Sequence, residues 1–322
     1  MGMPSYIDQE SFSESGVEIG REPWRLPGTF TLPKGSGPFP CVILVHGSGP
    51  QDRNETIGPN QPFRDLAWGL ASHRIAVLRY EKRTRIYPDE LKNLSSFTIK
   101  EETTDDVISA LNFVQDLDTV DNGKIFALGH SLGGFALPRV LSVYPAASAF
   151  AGVILLAANA RPLDEVMASQ MAYLEALPET TDDMREVLES MKAQIELIRS
   201  LRQDSHSDVA PFNVPASYWI DLQTYRPVET LCDTRVPALI LQGESDYQVM
   251  MDRDFRQWQE KSRSCSQLTC RSYPGLHHLF MPSPTPVATP RAYAAPDHVD
   301  SRVVGDIVRW IETGQIFSDN VH

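Results

Sequence analysis

The run Gly129-His130-Ser131-Leu132-Gly133 sets a serine between two glycines, and "GLHHLF" at 275–280 sets His277 beside His278. A hydroxyl served by an imidazole can attack an acyl carbon. Serine is a weak nucleophile at neutral pH, so it needs a base to take its proton. The base in turn needs a carboxylate to orient its ring and stabilise its cation. Asp246 offers that carboxylate in "GESD", with Glu244 as a competitor just before it. The paired glycines have a steric reason: a chain that reverses tightly enough to present the serine brings positions 129 and 133 too close for side chains. "HGSGP", His46 to Pro50, adds glycines where backbone N–H groups can converge on a small anion. One oxyanion donor is expected from Ser48 or Gly49 and the other from Leu132. His46 and His130 are expected to make local hydrogen bonds. Adjacent side chains diverge, so only one of His277 and His278 can face Ser131, the other pointing to solvent or to covering structure.

These residues need a scaffold that brings distant loops together. "PCVILVHG" at 40–47 reads as a strand buried on both faces. Further strands are expected at 75–80, 124–130, 152–158 and 236–245, with a weaker one at 267–275. Helical patterns fall between them at 62–74, 103–117 and after Ser131, and an amphipathic helix at 298–314 ends at Gly314. Strands alternating with helices indicate an α/β fold with a mostly parallel central sheet, entered through an antiparallel hairpin in "VEIGREPWRLPGTFTLPKG". Residues 160–233 break this rhythm. Met184, Val187, Leu188, Met191, Ile195 and Ile198 recur at helical spacing after Thr180-Thr181-Asp182-Asp183. This stretch is read as a helical cap inserted between two core segments, 1–159 and 234–322. Its exit, "APFNVPASYW", reads as loop. The Pro-rich run at 282–296 is expected to be ordered by packing. Ser131, Asp246 and His277/His278 then follow strands in the order serine, acid, histidine, all at the carboxyl edge of the sheet.

Composition narrows the partners. The 322 residues are 42% hydrophobic and 22% charged, with a formal net charge of −13 and no basic stripe. Nucleic acid and anionic membrane surfaces are therefore not expected partners. No apolar run is long enough to span a bilayer, and no secretion or lipidation signal is recognised, so the chain is read as cytoplasmic. On that ground Cys41, Cys232, Cys265 and Cys270 are expected to be free thiols, although Cys265 and Cys270 could pair across a loop. No Cys/His spacing fits zinc, and neither a metal nor a cofactor is expected. A second copy of the chain, as a homodimer, is the one macromolecular partner left open.

The blocks "HGSGPQDRNETIGPNQPFRDLAWGL", "RYEKRT", "GHSLGG", "QGESDYQV" and "YPGLHHLF" together resemble the α/β-hydrolase fold superfamily. They are especially similar to carboxylesterases carrying HGSGP-x-DR-x-ET after the first central strand. The resemblance spans about residues 20–314. In that group the last block usually reads Leu-Asn-His-Leu, which implies that His278 is the base and that His277 stands where asparagine is usual. It implies a serine carboxylesterase: Ser131 nucleophile, His278 base, Asp246 orienting acid, and a small-molecule ester or acyl substrate. The same residues also permit acyl transfer or carbon–carbon bond chemistry on a specialised, secondary-metabolite-type substrate. A non-catalytic binding role is disfavoured by the complete set in order. Glu81 to Arg83 and Gln51 to Glu55 either line the mouth of the site or form a salt-bridge network that fixes the oxyanion loop, and the network is preferred. Met171, Tyr173, Tyr218 and Trp219 either line an apolar pocket or pack the cap onto the core, and the packing is preferred.

Overall fold

The computed structural model describes residues 2–316 apart from 95, 204 and 206–208. An antiparallel hairpin of β1 (Phe12–Ile19) and β2 (Leu26–Pro33) leads into six further strands. These are β3 (Phe39–Val45), β4 (Ala76–Tyr80), β5 (Val120–His130), β6 (Phe150–Leu156), β7 (Ala238–Gly243) and β8 (Leu268–Tyr273). They form one sheet in the order β1-β2-β4-β3-β5-β6-β7-β8. Pairing is antiparallel from β1 to β4 and parallel from β4 to β8. The expected α/β architecture with its antiparallel entrance is therefore present.

Alternation along the strands divides the apolar residues between two layers. Cys41, Ile43 and Val45 of β3 join one core with Val107 and Leu111 of α4 (Asp105–Gln115) and Leu137 of α5 (Leu132–Val143). Val42 and Leu44 join the opposite core with Phe63 and Leu66 of α1 (Pro62–Ser72) and Val303 and Ile307 of the last helix. Each such fully buried aliphatic contributes on the order of 1.5–3 kcal/mol over exposure. Helices on both faces are what a parallel sheet requires, because neither side can face water.

The short helices α2 (Arg83–Ile86) and α3 (Pro88–Lys92) follow β4, and a π-helical turn, Lys100–Thr104, runs into α4. Between β6 and β7 stand α6 (Leu163–Ala176), α7 (Asp182–Ser200), α8 (Ala216–Gln223) and α9 (Pro227–Thr234). Thr181 caps α7 by accepting from Met184 N–H, as the Thr-Thr-Asp-Asp start implies. The expected exit loop is corrected in part: Tyr218 and Trp219 lie on α8, because Pro215 stands just ahead of the first turn, where a missing N–H costs nothing. Within the 160–233 stretch, α9 buries Val228 and Leu231 in the sheet core rather than among the inserted helices. After β7 come α10 (Arg256–Ser262) and α11 (Ser301–Thr313), which ends at Gly314 with φ 72°.

The free-thiol expectation is also corrected. Cys232, on α9, is disulfide-bonded to Cys265, which follows α10, while Cys41 and Cys270 are free. Spacing could not give this pair, because the two cysteines are 33 residues apart with β7 and α10 between them. The Pro-rich loop is held from both sides: Tyr173 donates to the Ala288 carbonyl, and Asn60 Nδ2 to those of Tyr293 and Ala295. Among the described residues, no helix is long and apolar enough to cross a membrane.

Candidate active site

Strand β5 ends at His130 and α5 begins at Leu132, so Ser131 occupies the turn alone, at φ 52° and ψ −117°. That left-handed conformation is strained for any residue with a Cβ and is held here by packing. Its amide donates to Leu156 O on the neighbouring strand (2.8 Å). The glycines are required by contact. A Cβ on Gly129 would lie 2.4 Å from the Gly133 carbonyl carbon, and one on Gly133 would lie 2.2 Å from Val45 O.

Asp246 follows β7 and is buried. Its Oδ1 accepts the amides of Gln248 (2.7 Å) and Val249 (3.1 Å). Its Oδ2 accepts Gln242 Nε2 (2.9 Å) and faces His278 Nδ1 at 2.7 Å. Four partners hold the carboxylate aimed. Since a carboxylate only accepts, His278 Nδ1 carries the proton and Nε2 is left as a base. Glu244 takes another role, accepting the hydroxyl of Ser272 at the surface.

His130, the residue before the serine, ties this pair to the turn. Its Nε2 donates to the backbone carbonyl of His278 (3.0 Å), and the two rings lie 4.7 Å apart. Its Nδ1 lies 2.9 Å from the buried Glu55 carboxylate. Burial pushes the His130 ring towards neutrality, but the Glu55 charge outweighs it and raises its pKa; Glu55 is lowered in turn, the two histidine charges overcoming its own burial. Among the described residues, the Ser131 hydroxyl makes no hydrogen bond to the His278 ring. Such contacts are often long before substrate binds and tighten in the reacting complex.

His277 faces neither solvent nor the inserted helices, contrary to expectation. It is 1% exposed, stands edge-on to Tyr293, and accepts the amide of Leu279 at Nδ1 (3.2 Å). Burial, and then the charge of His278, lower its pKa to about 4. A Cβ on Gly243 would lie 2.5 Å from Leu276 O and 2.7 Å from His277 O, so the histidine loop packs directly on the end of β7.

Ser48, Gly49, Ser131 and Leu132 line one cavity of about 480 Å³. Leu132 is the first residue of α5, where an amide has no intrahelical partner. Gly49 has φ 83°, and Gln51 holds the carbonyls of both Ser48 and Gly49. The residue ahead of them is held at both ends: Glu55 Oε1 accepts Gly47 N–H (2.6 Å), and Lys82 Nζ donates to Gly47 O (2.7 Å). The far wall is built by Leu163, Val166 and Met167 of α6 and by Tyr218 and Trp219 of α8. Met171 and Tyr173 lie outside this lining.

The "RYEKR" block is tied into the protein. Arg53 Nε pairs with Glu81 (2.7 Å), and its Nη1 donates to Gly28 O and to Thr29 Oγ1, both at 2.9 Å. Arg83 pairs with Asp106. Glu102 was not visible in the sequence as a site residue, because "KEETT" carries no spacing signal; it lines the cavity and binds Lys82.

Residues 42–289 match the model of the alpha/beta hydrolase family. The chain is 36% identical over 311 residues to Esterase EstD of Thermotoga maritima, spanning 96% of this chain and 70% of that protein. Among solved structures it is similar to Est1E of Butyrivibrio proteoclasticus, with a TM-score of 0.54 and 18% identity over 82% of this chain and 90% of that one. It is also similar to the Pyrococcus furiosus esterase Pf2001, with a TM-score of 0.54 and 17% identity over 84% and 83%. These two likenesses are likenesses of fold.

Proposed function

Because this chain belongs to the alpha/beta hydrolase family, we propose that it hydrolyses carboxylic esters of small molecules through an acyl-enzyme on Ser131. Ser131 Oγ attacks the ester carbonyl carbon while His278 Nε2 takes its proton. The carbonyl oxygen becomes an oxyanion and is held by the amides of Leu132 and of Ser48 or Gly49. Asp246 keeps the ring oriented and balances its positive charge. His278 returns the proton to the leaving alkoxide, the carbon–oxygen bond breaks, and an alcohol departs. A water then gives its proton to the same nitrogen and attacks the acyl carbon; the bond to Ser131 Oγ breaks as His278 returns that proton to the serine oxygen, and a carboxylic acid leaves. The helices α6 to α8 act as a cap whose apolar wall receives an uncharged part of the substrate.

The observation that carries this reading is the 2.7 Å contact of His278 Nδ1 with a fully partnered Asp246, on a loop that the residue next to Ser131 holds in place. The relative EstD is named an esterase, which supports the same reading. A fluorophosphonate probe and a panel of p-nitrophenyl esters test it. The wild-type chain is expected to label and turn over. Ser131→Ala should lose the label, and His278→Ala should lose about 10⁴-fold or more in kcat with the fold intact. Full labelling or full turnover by Ser131→Ala sinks the proposal.

A further inference from the structure

Three buried polar side chains run from the cap to the oxyanion loop. Tyr218 of α8 donates its hydroxyl to Glu102 Oε2 (2.6 Å). Glu102, in the π-helical turn before α4, binds Lys82 Nζ through Oε1 (2.6 Å). Lys82, which follows β4, donates to the carbonyl of Gly47 (2.7 Å). Exposures are 4% for Tyr218, 6% for Glu102 and 2% for Lys82. Gly47 is the residue before Ser48, which with Gly49 is an alternative for the loop's oxyanion donor, and the N–H of Gly47 is held by Glu55. Tyr218 also presents its ring to the cavity, stacked on Phe97 at 5.8 Å and edge-on to Trp219 at 5.4 Å.

We propose that Tyr218, Glu102 and Lys82 are positioning residues that couple the acyl pocket under the cap to the oxyanion loop. The proposal rests on the reading of Ser131 as nucleophile. A buried ion pair is costly to desolvate and is weak evidence of stabilisation in itself. Here each end of the pair is spent on something else: the ammonium on a loop carbonyl, the carboxylate on a hydroxyl of the inserted helices. Lys82 holds the Gly47 carbonyl and thereby fixes the plane of the peptide that carries the Ser48 N–H. Packing of substrate against the Tyr218 ring sets the hydroxyl, and through the carboxylate and ammonium the aim of that N–H. None of the three residues needs to touch the reacting atoms.

A coupled positioning chain makes a distinctive kinetic pattern. Tyr218→Phe removes one hydroxyl and keeps the ring; it should lower kcat about tenfold while KM stays within about threefold, because a misaimed donor loses part of the 10²–10³ that a deleted donor loses. Glu102→Gln and Lys82→Met should lower kcat further. Affinity for an aryl boronic acid, which forms a tetrahedral anion on the serine, should fall by the same factor as kcat. Affinity for the unreactive amide analogue of the ester should not change. The double variant Tyr218→Phe with Lys82→Met should be no slower than Lys82→Met alone, since both cut one chain. Additive losses, a raised KM with weaker amide binding, or unchanged kcat would each overturn the coupling. If Lys82→Met does not fold, the pair Tyr218→Phe and Glu102→Gln carries the cycle. Wild-type labelling by the fluorophosphonate is measured alongside; its failure strikes the nucleophile assignment, whereas normal labelling with unaltered variants strikes the coupling alone.

Discussion

His277 and His278 are neighbours in sequence with opposite chemical environments. The first accepts an amide in a dry pocket beside Tyr293; the second donates to a carboxylate. Protonating His277 would place a charge where burial disfavours it and would remove the acceptor for Leu279 N–H. Its folded pKa of about 4 lies below the ordinary 6.5, so between those values the unfolded chain binds more protons. The stability tied to a neutral His277 is therefore full above pH 6.5 and is lost as pH falls towards 4. His46, buried and likewise lowered to about 4, acts in the same direction. Replacing His277 by the asparagine usual in similar sequences should shrink the loss of unfolding free energy between pH 8 and pH 5 by about 1–2 kcal/mol. Urea unfolding at the two pH values measures this. Ester turnover of His277→Asn should stay within a fewfold of wild type. An unchanged pH dependence would remove the buried ring from the account of acid lability.

At the scale of elements, each loop of the candidate site is held by its own set of buried contacts. The oxyanion loop leans on Glu55 and Lys82, the serine turn on Gly129 and Gly133, and the histidine loop on His130. Arg53 belongs to this supporting set, since its three contacts reach Glu81 and β2 and it does not line the cavity. Arg53→Ala should thus destabilise by about 1–3 kcal/mol through the lost charge-assisted bonds. KM for a small neutral ester should change less than about twofold. Chemical denaturation paired with steady-state kinetics decides it: a raised KM at unchanged stability would make Arg53 a substrate contact.

On the scale of the whole molecule, the disulfide Cys232–Cys265 joins α9, which lies on the helix carrying the serine turn, to the segment after α10. It closes a loop of 33 residues, for which the chain-entropy model gives a contribution of about 3–4 kcal/mol. Cys232→Ser should lower the melting temperature by several degrees and leave turnover at room temperature nearly unchanged, because Val228 and Leu231 still anchor α9. Melting wild type with and without reductant should reproduce the shift; a melt indifferent to reductant would deny the bond any share in stability. The sequence by itself determined the alternating strands and helices, the glycine-flanked serine, and the chain order of alcohol, acid and imidazole, because these rest on periodicity and on local sterics. Tertiary structure alone decided that His277 is dry, that Tyr218 is helical and meets Glu102, that Lys82 grips Gly47, and that Cys232 finds Cys265. Those facts depend on which side chains of distant segments share a buried space, and a one-dimensional pattern records burial and spacing but not the partner met across the fold.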